Sequence, residues 1–589
     1  MNPLGAGARS TGDNGRPMDK VKRTPPRRPR KTPAKGAASA PDVAASEPTA
    51  AVPTPRRPRK AQPQGAASAP EVAVSAPAAA VRAVAEPAAS EPTALRPGSG
   101  LRGVRNSLMM LVAQLASRLL ALGSVIVILH SLGAGDFGQM QTAITYGAIV
   151  SVVADLGLST LFLREGARHP QLVGRYLDNM LSLRIPLLAL AILVLTGALW
   201  LVGLHSLVVA SAALMVGSGL QLLLRNSFYA LQRVKFVVVE IVPEALLLLG
   251  LVVLGALRDF GTGYFIWCYT FSYLAAAAYF AVALLLTGAW KPHWRFEMGL
   301  IRPWMVMTAP LAVSYVFTTV YWQIDVPILQ HFGPATPTSC PTLTTLSYCE
   351  VGWYQAAYKP FQALLVIPFA LRTVAFPLLS IYHREAPARL ADGVRKFFKA
   401  LLALGLPASI GVIVLADQYT SLFSLYPQAA PSLRLLGVTI VFMFVDNANA
   451  TALLAMDRQR TYAWIVGVGM LINGVLNAVL IPVFEQIHPG SGYLVTSANT
   501  AATEVGLVVI GLIVLRRLGV GIPVLRLSWR IVPAALLMGG FLLLVHPEGR
   551  VATIVVTLLA GVLYLAALWL FRAADADERS LIRRALQRA

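Results

Sequence analysis

The stretch ILHSLGAGDFGQMQTA, at residues 128–143, recurs about two hundred residues later as ILQHFG at 328–333 and, after an insertion, EVGWYQAA at 350–357. Both copies contain an acidic residue, a glycine and a glutamine in the same order and at the same spacing: Asp136, Gly138 and Gln141, then Glu350, Gly352 and Gln355. We expect the acid to cap the start of a helix and the glycine to permit a tight corner between helices. The repeat predicts that the chain consists of two related halves.

The composition is that of a membrane protein. Hydrophobic residues make up 56% of the 589 residues, charged residues only 13%, and the mean hydropathy is +0.62. From residue 106 onward, apolar runs of about 20 residues recur, each long enough for a helix to cross a bilayer. Helices are expected because an unclosed strand would leave backbone groups unpaired in lipid. We therefore predict an all-α polytopic protein with about fourteen transmembrane helices, at 106–131, 137–163, 179–203, 206–230, 236–257, 263–289, 304–330, 351–382, 397–417, 432–456, 462–484, 491–515, 529–546 and 550–571.

The Lys and Arg residues indicate how these helices are oriented. The net charge of the chain is +22. Alternate connections between the predicted helices hold nineteen Lys and Arg, whereas the opposite set holds only Arg258 and Arg550. Because basic loops are retained in the cytoplasm, this asymmetry predicts that both termini lie there. Topology and basic tails account for the positive charge, so we expect no nucleic-acid partner.

Six predicted helices separate the two copies of the repeat, so both copies have the same orientation in the membrane. Parallel repeats of this kind form the two lobes of transporters, with a site between them. The predicted organisation begins with a disordered basic tail rich in Pro, Ala and Arg at 1–100. Two pseudo-symmetric six-helix lobes follow at 101–300 and 301–520, then two C-terminal helices at 521–575 and a short basic tail at 576–589. The N-terminal tail is interpreted either as a tether for anionic lipid or a partner, or as a tolerated low-complexity extension.

Four longer stretches resemble the polysaccharide flippase family of the multidrug/oligosaccharidyl-lipid/polysaccharide (MOP) exporter superfamily. They are RGVRNSLMMLVAQLASRLLALGSVIVILHSLGAGDFGQMQTA, VVADLGLSTLFLREGAR, QIDVPILQHFG and EVGWYQAAYKPFQALLVIPFALRTVAFPLLS, and the resemblance covers about residues 100–515. It implies transfer of undecaprenyl-pyrophosphate-linked oligosaccharides across the inner membrane for polysaccharide biosynthesis. Polysaccharide polymerase or assembly machinery is then a candidate partner. The basic tail and the insertion at 334–349 depart from the family pattern.

Many ionisable residues fall inside the predicted helices. An unpaired charge there costs at least about 2.5–3.5 kcal/mol. An aqueous cavity shared by the lobes would hydrate them, and its basic members would attract a pyrophosphate headgroup. Lys359 precedes Pro360, and backbone groups freed by proline need a protein partner or a cavity beside them in lipid. We assign substrate binding to Arg118, Lys359, Arg372, Gln141 and Gln355.

The buried acids carry two interpretations, ion coupling or structural ion pairing. They are Asp155, Glu240, Glu244, Asp325 and Asp446. Glu240 and Glu244 lie one helical turn apart, and we favour their pairing with Arg225 or Arg184, although both arginines are also expected to extend to the polar interface. Asp325 is expected to form an ion pair with Lys359. The alternative role for Lys359 is contact with the substrate headgroup. Asp446 joins Asn447 and Asn449 in a polar patch typical of contacts between helices.

Cysteine content and motifs exclude several classes of protein. Three cysteines in so long a chain exclude a disulfide scaffold. Cys340 and Cys349 lie in the insertion and are expected to form a disulfide only if that loop faces an oxidising compartment, whereas Cys268 is expected in the core. The sequence has no metal-ligand spacing and no GxxxxGK[ST] loop, so we expect a transporter without metal, cofactor, ATPase domain or catalytic residues.

Three alternative functions remain open from the sequence. The first is a multidrug or cation exporter of the same superfamily, which would need an acidic, aromatic cavity. The second is a lipid II flippase, and the third, which we favour least, is a polytopic glycan polymerase or ligase. The driving force is either the membrane potential acting on an anionic headgroup or an ion exchanged through the buried acids.

Overall fold

The computed structural model of the protein describes residues 99–333 and 346–573. Within these ranges the chain is α-helical and contains no strand, which confirms the predicted all-α class. Residues 1–98 of the predicted N-terminal tail, the predicted C-terminal tail and Cys340 lie outside the described residues, and the last two residues of the predicted N-terminal tail begin α1. Cys349 is disulfide-bonded and Cys268 is buried and free. The pairing of Cys349 with Cys340 stays a prediction, because Cys340 is not among the described residues.

The helices follow the order of the predicted apolar runs. The first half comprises α1 Ser99–Ser131, α2 Ala134–Asp155, α3 Leu158–Arg168, α4 Val173–Leu201, α5 Val208–Ala230, α6 Val234–Leu257 and α7 Thr262–Leu286. The second comprises α8 Met298–Gln323, α9 Asp325–Phe332, α10 Leu346–Leu364, α11 Val366–Glu385, α12 Pro387–Val414, α13 Ala416–Leu422, α14 Ala429–Ala455, α15 Gln459–Ile487 and α16 Gly492–Arg517. The chain continues with α17 Val524–Ser528, α18 Ile531–Val545 and α19 Arg550–Leu570.

The number of membrane crossings differs from the predicted fourteen. Among the described residues, eleven helices are long and apolar enough to cross a membrane, and two bent helix pairs raise the number to thirteen. The remaining apolar helix, α18, has only 15 residues. The protein is thus a multi-pass membrane protein, but the count of fourteen is not confirmed.

The second predicted helix, at 137–163, is broken in the structure. α2 and α3 meet at an angle of 49°. Leu156 and Gly157 at the break have φ of +43° and +75°, in the left-handed region. Glycine tolerates this region because it has no Cβ. The hydrophobic pattern continues through the break, so the periodicity of the sequence did not indicate it.

The two copies of the repeat pack against each other where α2 and α10 begin. We call this end of the bundle the opposite face, because it lies at the other end of the helices from the basic loops. A Cβ added at Gly138 would lie 1.8 Å from the carbonyl oxygen of Tyr348, and one added at Gly352 would lie 2.1 Å from that of Ala134. Each glycine therefore touches the backbone of the other helix. The repeated glycines bring the two halves into contact rather than turning a corner within each half.

The predicted capping role of Asp136 and Glu350 at their own helices is wrong. α2 begins after Gly133, and no side chain caps it; Asp136 lies in the first turn, where a carboxylate favours the helix dipole. Glu350 is fully buried inside α10, and its Oε2 accepts a hydrogen bond of 3.2 Å from the backbone N–H of Tyr493 at the start of α16. The second acid therefore supports the start of a neighbouring helix, which its position along the chain does not reveal.

Two tyrosines add further contacts between the halves at the opposite face. The hydroxyl of Tyr348 donates to the carbonyl oxygen of Val202. The hydroxyl of Tyr426 donates to that of Leu132 at 2.8 Å, and its ring lies 6.2 Å from that of Phe137, measured between centroids. Together with the glycine contacts, these bonds close the opposite face between the two halves.

At the other end of the bundle, which we call the basic face because it carries Arg175, Lys291 and Arg295, the connection between the halves is fixed to α4. The Nε of Arg175 donates to both carboxylate oxygens of Glu297, at 3.0 and 3.1 Å. The backbone N–H of Glu297 donates to Asn179 at 2.8 Å. The hydrogen bond from the Arg175 guanidinium, with its charge, lowers the pKa of Glu297 below its usual value.

We expect Gly138→Ala to separate α2 from α10, because the added methyl group overlaps backbone atoms that cannot rotate away. Overpacking of this kind costs about 1–3 kcal/mol. The midpoint of thermal unfolding in detergent should fall. Gly250→Ala is the matched control, since Gly250 lies inside α6 with no atom within 4 Å of the added Cβ. Equal unfolding midpoints for the two variants would contradict the glycine contact.

The Glu297 carboxylate should make stability depend on pH. Because its pKa is lowered in the folded state, its contribution is fully present above the usual value of 4.5 and is lost as the pH falls through the lowered pKa. Glu297→Gln should therefore lower the unfolding midpoint at neutral pH and flatten its decline in acid. A variant that keeps the full acid dependence of the wild type would show that Arg175 and Glu297 do not interact in solution.

Candidate functional site

A cavity of about 310 Å³, here named the central cavity, lies among helices of the first half and receives one lysine from the second. Its wall comprises Gln141, Ile144, Gly147, Ala148 and Ser151 of α2, Ser211, Leu214, Met215 and Ser218 of α5, Tyr269 and Tyr273 of α7, and Lys359 of α10. No acidic residue contributes to this wall. The cavity therefore presents one cation among neutral groups.

Lys359 connects the two halves at this cavity. Its Nζ donates a hydrogen bond of 3.0 Å to Oε1 of Gln141. Lys359 lies seven residues after Gly352, about 10 Å along α10 at 1.5 Å per residue. Helical side chains tilt toward the N-terminus, which brings the ammonium group back along α10 toward the level of Gln141, three residues after Gly138. The close packing at the opposite face thus brings Lys359 within reach of Gln141.

The predicted ion pair between Lys359 and Asp325 is wrong. Asp325 accepts hydrogen bonds from Tyr354 at 2.7 Å, Asn477 at 3.0 Å and Thr500 at 3.3 Å, all of them neutral donors. Lys359 is half-buried and has no acidic partner among the described residues. Its charge is therefore available to an anion that enters the central cavity.

The neutral groups of the central cavity leave hydrogen-bonding capacity unused. The buried hydroxyl of Ser211 has no partner among the described groups. Tyr269 and Tyr273 add two half-buried hydroxyl-bearing rings, one helical turn apart. Arg118 is exposed on α1, and its charge acts on Tyr273. Neither tyrosine nor Ser211 is among the predicted substrate-binding residues, although the i, i+4 spacing of the tyrosines is visible in YTFSY at 269–273.

In the first half, the buried acids are paired with arginines. Arg184 forms an ion pair with Asp155, and Arg225 donates to Glu240 at 2.8 Å and to Glu244 at 3.0 Å. The expectation that both arginines extend to the polar interface is therefore wrong. A buried carboxylate and guanidinium satisfy each other, whereas either group alone would be left with its desolvation cost.

In the second half, Glu504 and Asp446 contact neutral groups. Glu504 accepts a hydrogen bond from Tyr321, and Asp446 interacts with Asn449 and lies within electrostatic range of Arg372. Among the described residues, neither of these acids nor Asp325 has a Lys or Arg within 4.0 Å. Asn449 also donates to the carbonyl oxygen of Val508 at 3.3 Å, which joins α14 to α16.

The structure brings together only part of the predicted substrate-binding set. Lys359 and Gln141 share the central cavity. Gln355 is 7% exposed and does not line it, Arg372 lies near Asp446, and Arg118 is exposed on α1. The equivalence of Gln141 and Gln355 in the repeat is thus not matched by equivalent surroundings.

Comparisons with known proteins agree with this architecture. Residues 104–383 match the sequence profile of a family described as polysaccharide biosynthesis protein. The fold is similar to that of the lipid II flippase MurJ in an inward closed conformation, with a TM-score of 0.63 at 11% identity, covering 81% of this chain and 100% of that one.

The fold is also similar to that of a multidrug resistance MATE family transporter of the MOP superfamily in an inward-facing conformation. The TM-score is 0.53 at 11% identity, covering 70% of this chain and 99% of that one. A comparison with curated proteins found no match. At these identities the structural likeness shows a shared fold and does not extend to the substrate. The profile match over residues 104–383 confirms the family resemblance predicted from the sequence, and the fold is similar to that of a flippase and a transporter of the MOP superfamily.

Proposed function

We propose that this protein flips undecaprenyl-pyrophosphate-linked oligosaccharides across the bacterial inner membrane by alternating access, without changing a covalent bond. In this proposal the basic face and both termini lie in the cytoplasm, as the distribution of Lys and Arg favours. The pyrophosphate binds Lys359 in the central cavity. A polysaccharide polymerase on the far side of the membrane would use the product.

The observation that supports this proposal is the charge of the central cavity. Lys359 has no acidic partner among the described residues, and no acid lines the wall. A cation in partly desolvated surroundings binds an anion more strongly than it would in water. A cavity for cationic drugs would need the reverse, so this arrangement disfavours the exporter alternative.

The size of the cavity limits which part of the substrate it holds. A volume of about 310 Å³ lies at the lower end of ligand pockets. It has room for a pyrophosphate but not for a whole oligosaccharide. The glycan would therefore extend toward the basic face until the halves move apart.

The contacts at the opposite face support alternating access. In the described conformation α2 and α10 touch through Gly138 and Gly352, so the halves are closed at that end. Release on the far side requires this contact to open and a matching closure to form at the basic face. The few hydrogen bonds of Tyr348 and Tyr426 are the directional contacts that such a movement must break.

Loss of the Lys359 charge should abolish headgroup binding. Lys359→Gln preserves a polar side chain beside Gln141 but removes the charge, and a charged hydrogen bond is worth about 1.5–3 kcal/mol, or at least about tenfold in affinity. Flipping is measured in proteoliposomes as protection of a fluorescent undecaprenyl-pyrophosphate oligosaccharide from an external quencher. Lys359→Arg should retain part of the rate, and Lys291→Gln, on the exposed basic face, should behave as wild type.

The same assay separates the remaining alternatives. Flipping of lipid II at the rate of the oligosaccharide lipid would favour the muropeptide substrate. Normal flipping by Lys359→Gln would remove the central cavity from the proposal.

We further propose that an ion is coupled through Asp325, because this buried acid faces only neutral donors. Asp325→Asn keeps the shape of the side chain and removes the charge, so flipping should lose its response to an imposed sodium or proton gradient. Asp417→Asn is the control, since Asp417 is exposed and paired with Arg434. A gradient response in Asp325→Asn equal to that of the wild type would leave the membrane potential alone as the driving force.

A further inference from the structure

A second cavity of about 290 Å³, here named the lateral cavity, adjoins the central cavity. The two share Ser151 of α2 and Met215 and Ser218 of α5 as wall residues. From there the lateral cavity runs between α4 and α5, beneath Tyr315 of α8. Its aliphatic wall includes Leu181, Ile185, Leu188, Val216, Leu220 and Leu222.

The far end of the lateral cavity opens at the outside of the helix bundle. Ile185 on α4 is 49% exposed and Leu222 on α5 is 40% exposed, although both line the cavity. Large apolar residues exposed on a membrane-spanning helix face lipid. The lateral cavity therefore lies between the central cavity, with which it shares wall residues, and the lipid-facing surface of the bundle.

Polar groups in this wall have partners within the protein, with the Nε of Arg184 as an exception. The hydroxyls of Ser151 and Ser218 donate to carbonyl oxygens of their own helices, at 2.7 and 3.2 Å. Arg184 is neutralised by Asp155 and donates to the carbonyl oxygen of Gly219 at 2.7 Å. Its Nε has no partner among the described groups but is already buried, so a ligand does not change its hydration.

This pattern differs from that of the central cavity, where Lys359 carries a charge with no acidic partner among the described residues. Filling a cavity with hydrocarbon is costly when it strands polar groups and favourable when those groups are already paired. The central cavity thus suits an anionic group and the lateral cavity suits a hydrocarbon chain. Because the two cavities adjoin, they suit one molecule that carries both groups.

We infer that the lateral cavity binds the prenyl chain of the lipid-linked substrate next to its pyrophosphate, and that the chain leaves the protein between α4 and α5. This inference rests on the proposed function, since it takes the headgroup to lie at Lys359. At roughly 30 Å³ for a group the size of a water molecule, about 290 Å³ holds about ten such groups, or two isoprene units. The remainder of the chain stays in lipid beyond Ile185 and Leu222.

Crosslinking tests the exit path directly. A photoreactive benzoylphenylalanine replaces Ile185 in the full-length protein in nanodiscs that contain alkyne-tagged undecaprenyl pyrophosphate. The matched control carries it at Val194, also on α4 and 44% exposed, but outside the lateral cavity. We expect crosslinking at residue 185 to be lost when untagged undecaprenyl pyrophosphate is added and to persist when phosphatidylglycerol is added. Crosslinking at residue 194 should respond to neither.

A substitution inside the cavity provides a second measurement. Leu188→Trp fills the lateral cavity and should weaken binding of undecaprenyl pyrophosphate about tenfold or more, while inorganic pyrophosphate binds as in wild type. Lys359→Gln should show the reverse selectivity, with loss of inorganic pyrophosphate binding. Normal pyrophosphate binding also shows that the Leu188→Trp protein is folded.

The outcomes distinguish the two proposals. Equal competition at residues 185 and 194, or competition by phosphatidylglycerol, would overturn the chain site and assign the cavity to bulk lipid. Unchanged binding of undecaprenyl pyrophosphate by Leu188→Trp would overturn it as well. Failure of wild type to bind inorganic pyrophosphate, with specific crosslinking at residue 185 intact, would sink the headgroup site and leave the chain site standing.

Discussion

The contact between α2 and α10 through Gly138 and Gly352 is the constraint on which the rest of the structure depends. At each glycine the partner backbone occupies the place of a side chain, with a carbonyl oxygen within 2.1 Å of where a Cβ would lie. Close-packed backbones leave no room for adjustment, because only side chains have rotamers that can yield. This contact closes the opposite face and sets the distance at which Lys359 meets Gln141.

The two halves share a motif but treat buried charge differently. In the first half Asp155, Glu240 and Glu244 are held by arginines. Such pairs are costly to form in a membrane but rigid once formed, since breaking either partner leaves a buried charge uncompensated. In the second half Asp325 and Glu504 contact hydroxyl and amide groups instead. The two halves therefore share a contact motif but differ in the groups that surround their buried acids.

Two adjoining cavities lie mainly within the first half, a central cavity with a charged and polar wall and a lateral cavity with a largely aliphatic wall. The lysine that gives the central cavity its charge belongs to α10, so the polar part is complete only when the halves are in contact. The lateral cavity is built mainly from α2, α4 and α5, with Tyr315 of α8 from the second half. A movement of the halves would therefore alter the charge of the first cavity more than the hydrocarbon lining of the second.

The sequence by itself determined the class of the protein, the order of its helices and the existence of two related halves. Hydropathy runs and the repeat are local features of the chain. In lipid, a spanning segment must satisfy its own backbone hydrogen bonds, so these runs form helices. Only the tertiary structure decided the break at Leu156, the attachment of Glu350 to α16 and the partners of Lys359, Asp325 and Arg184. These depend on which helix faces meet across long sequence separations. An apolar run in a membrane has no polar face to reveal that orientation, because lipid and protein interior are equally apolar.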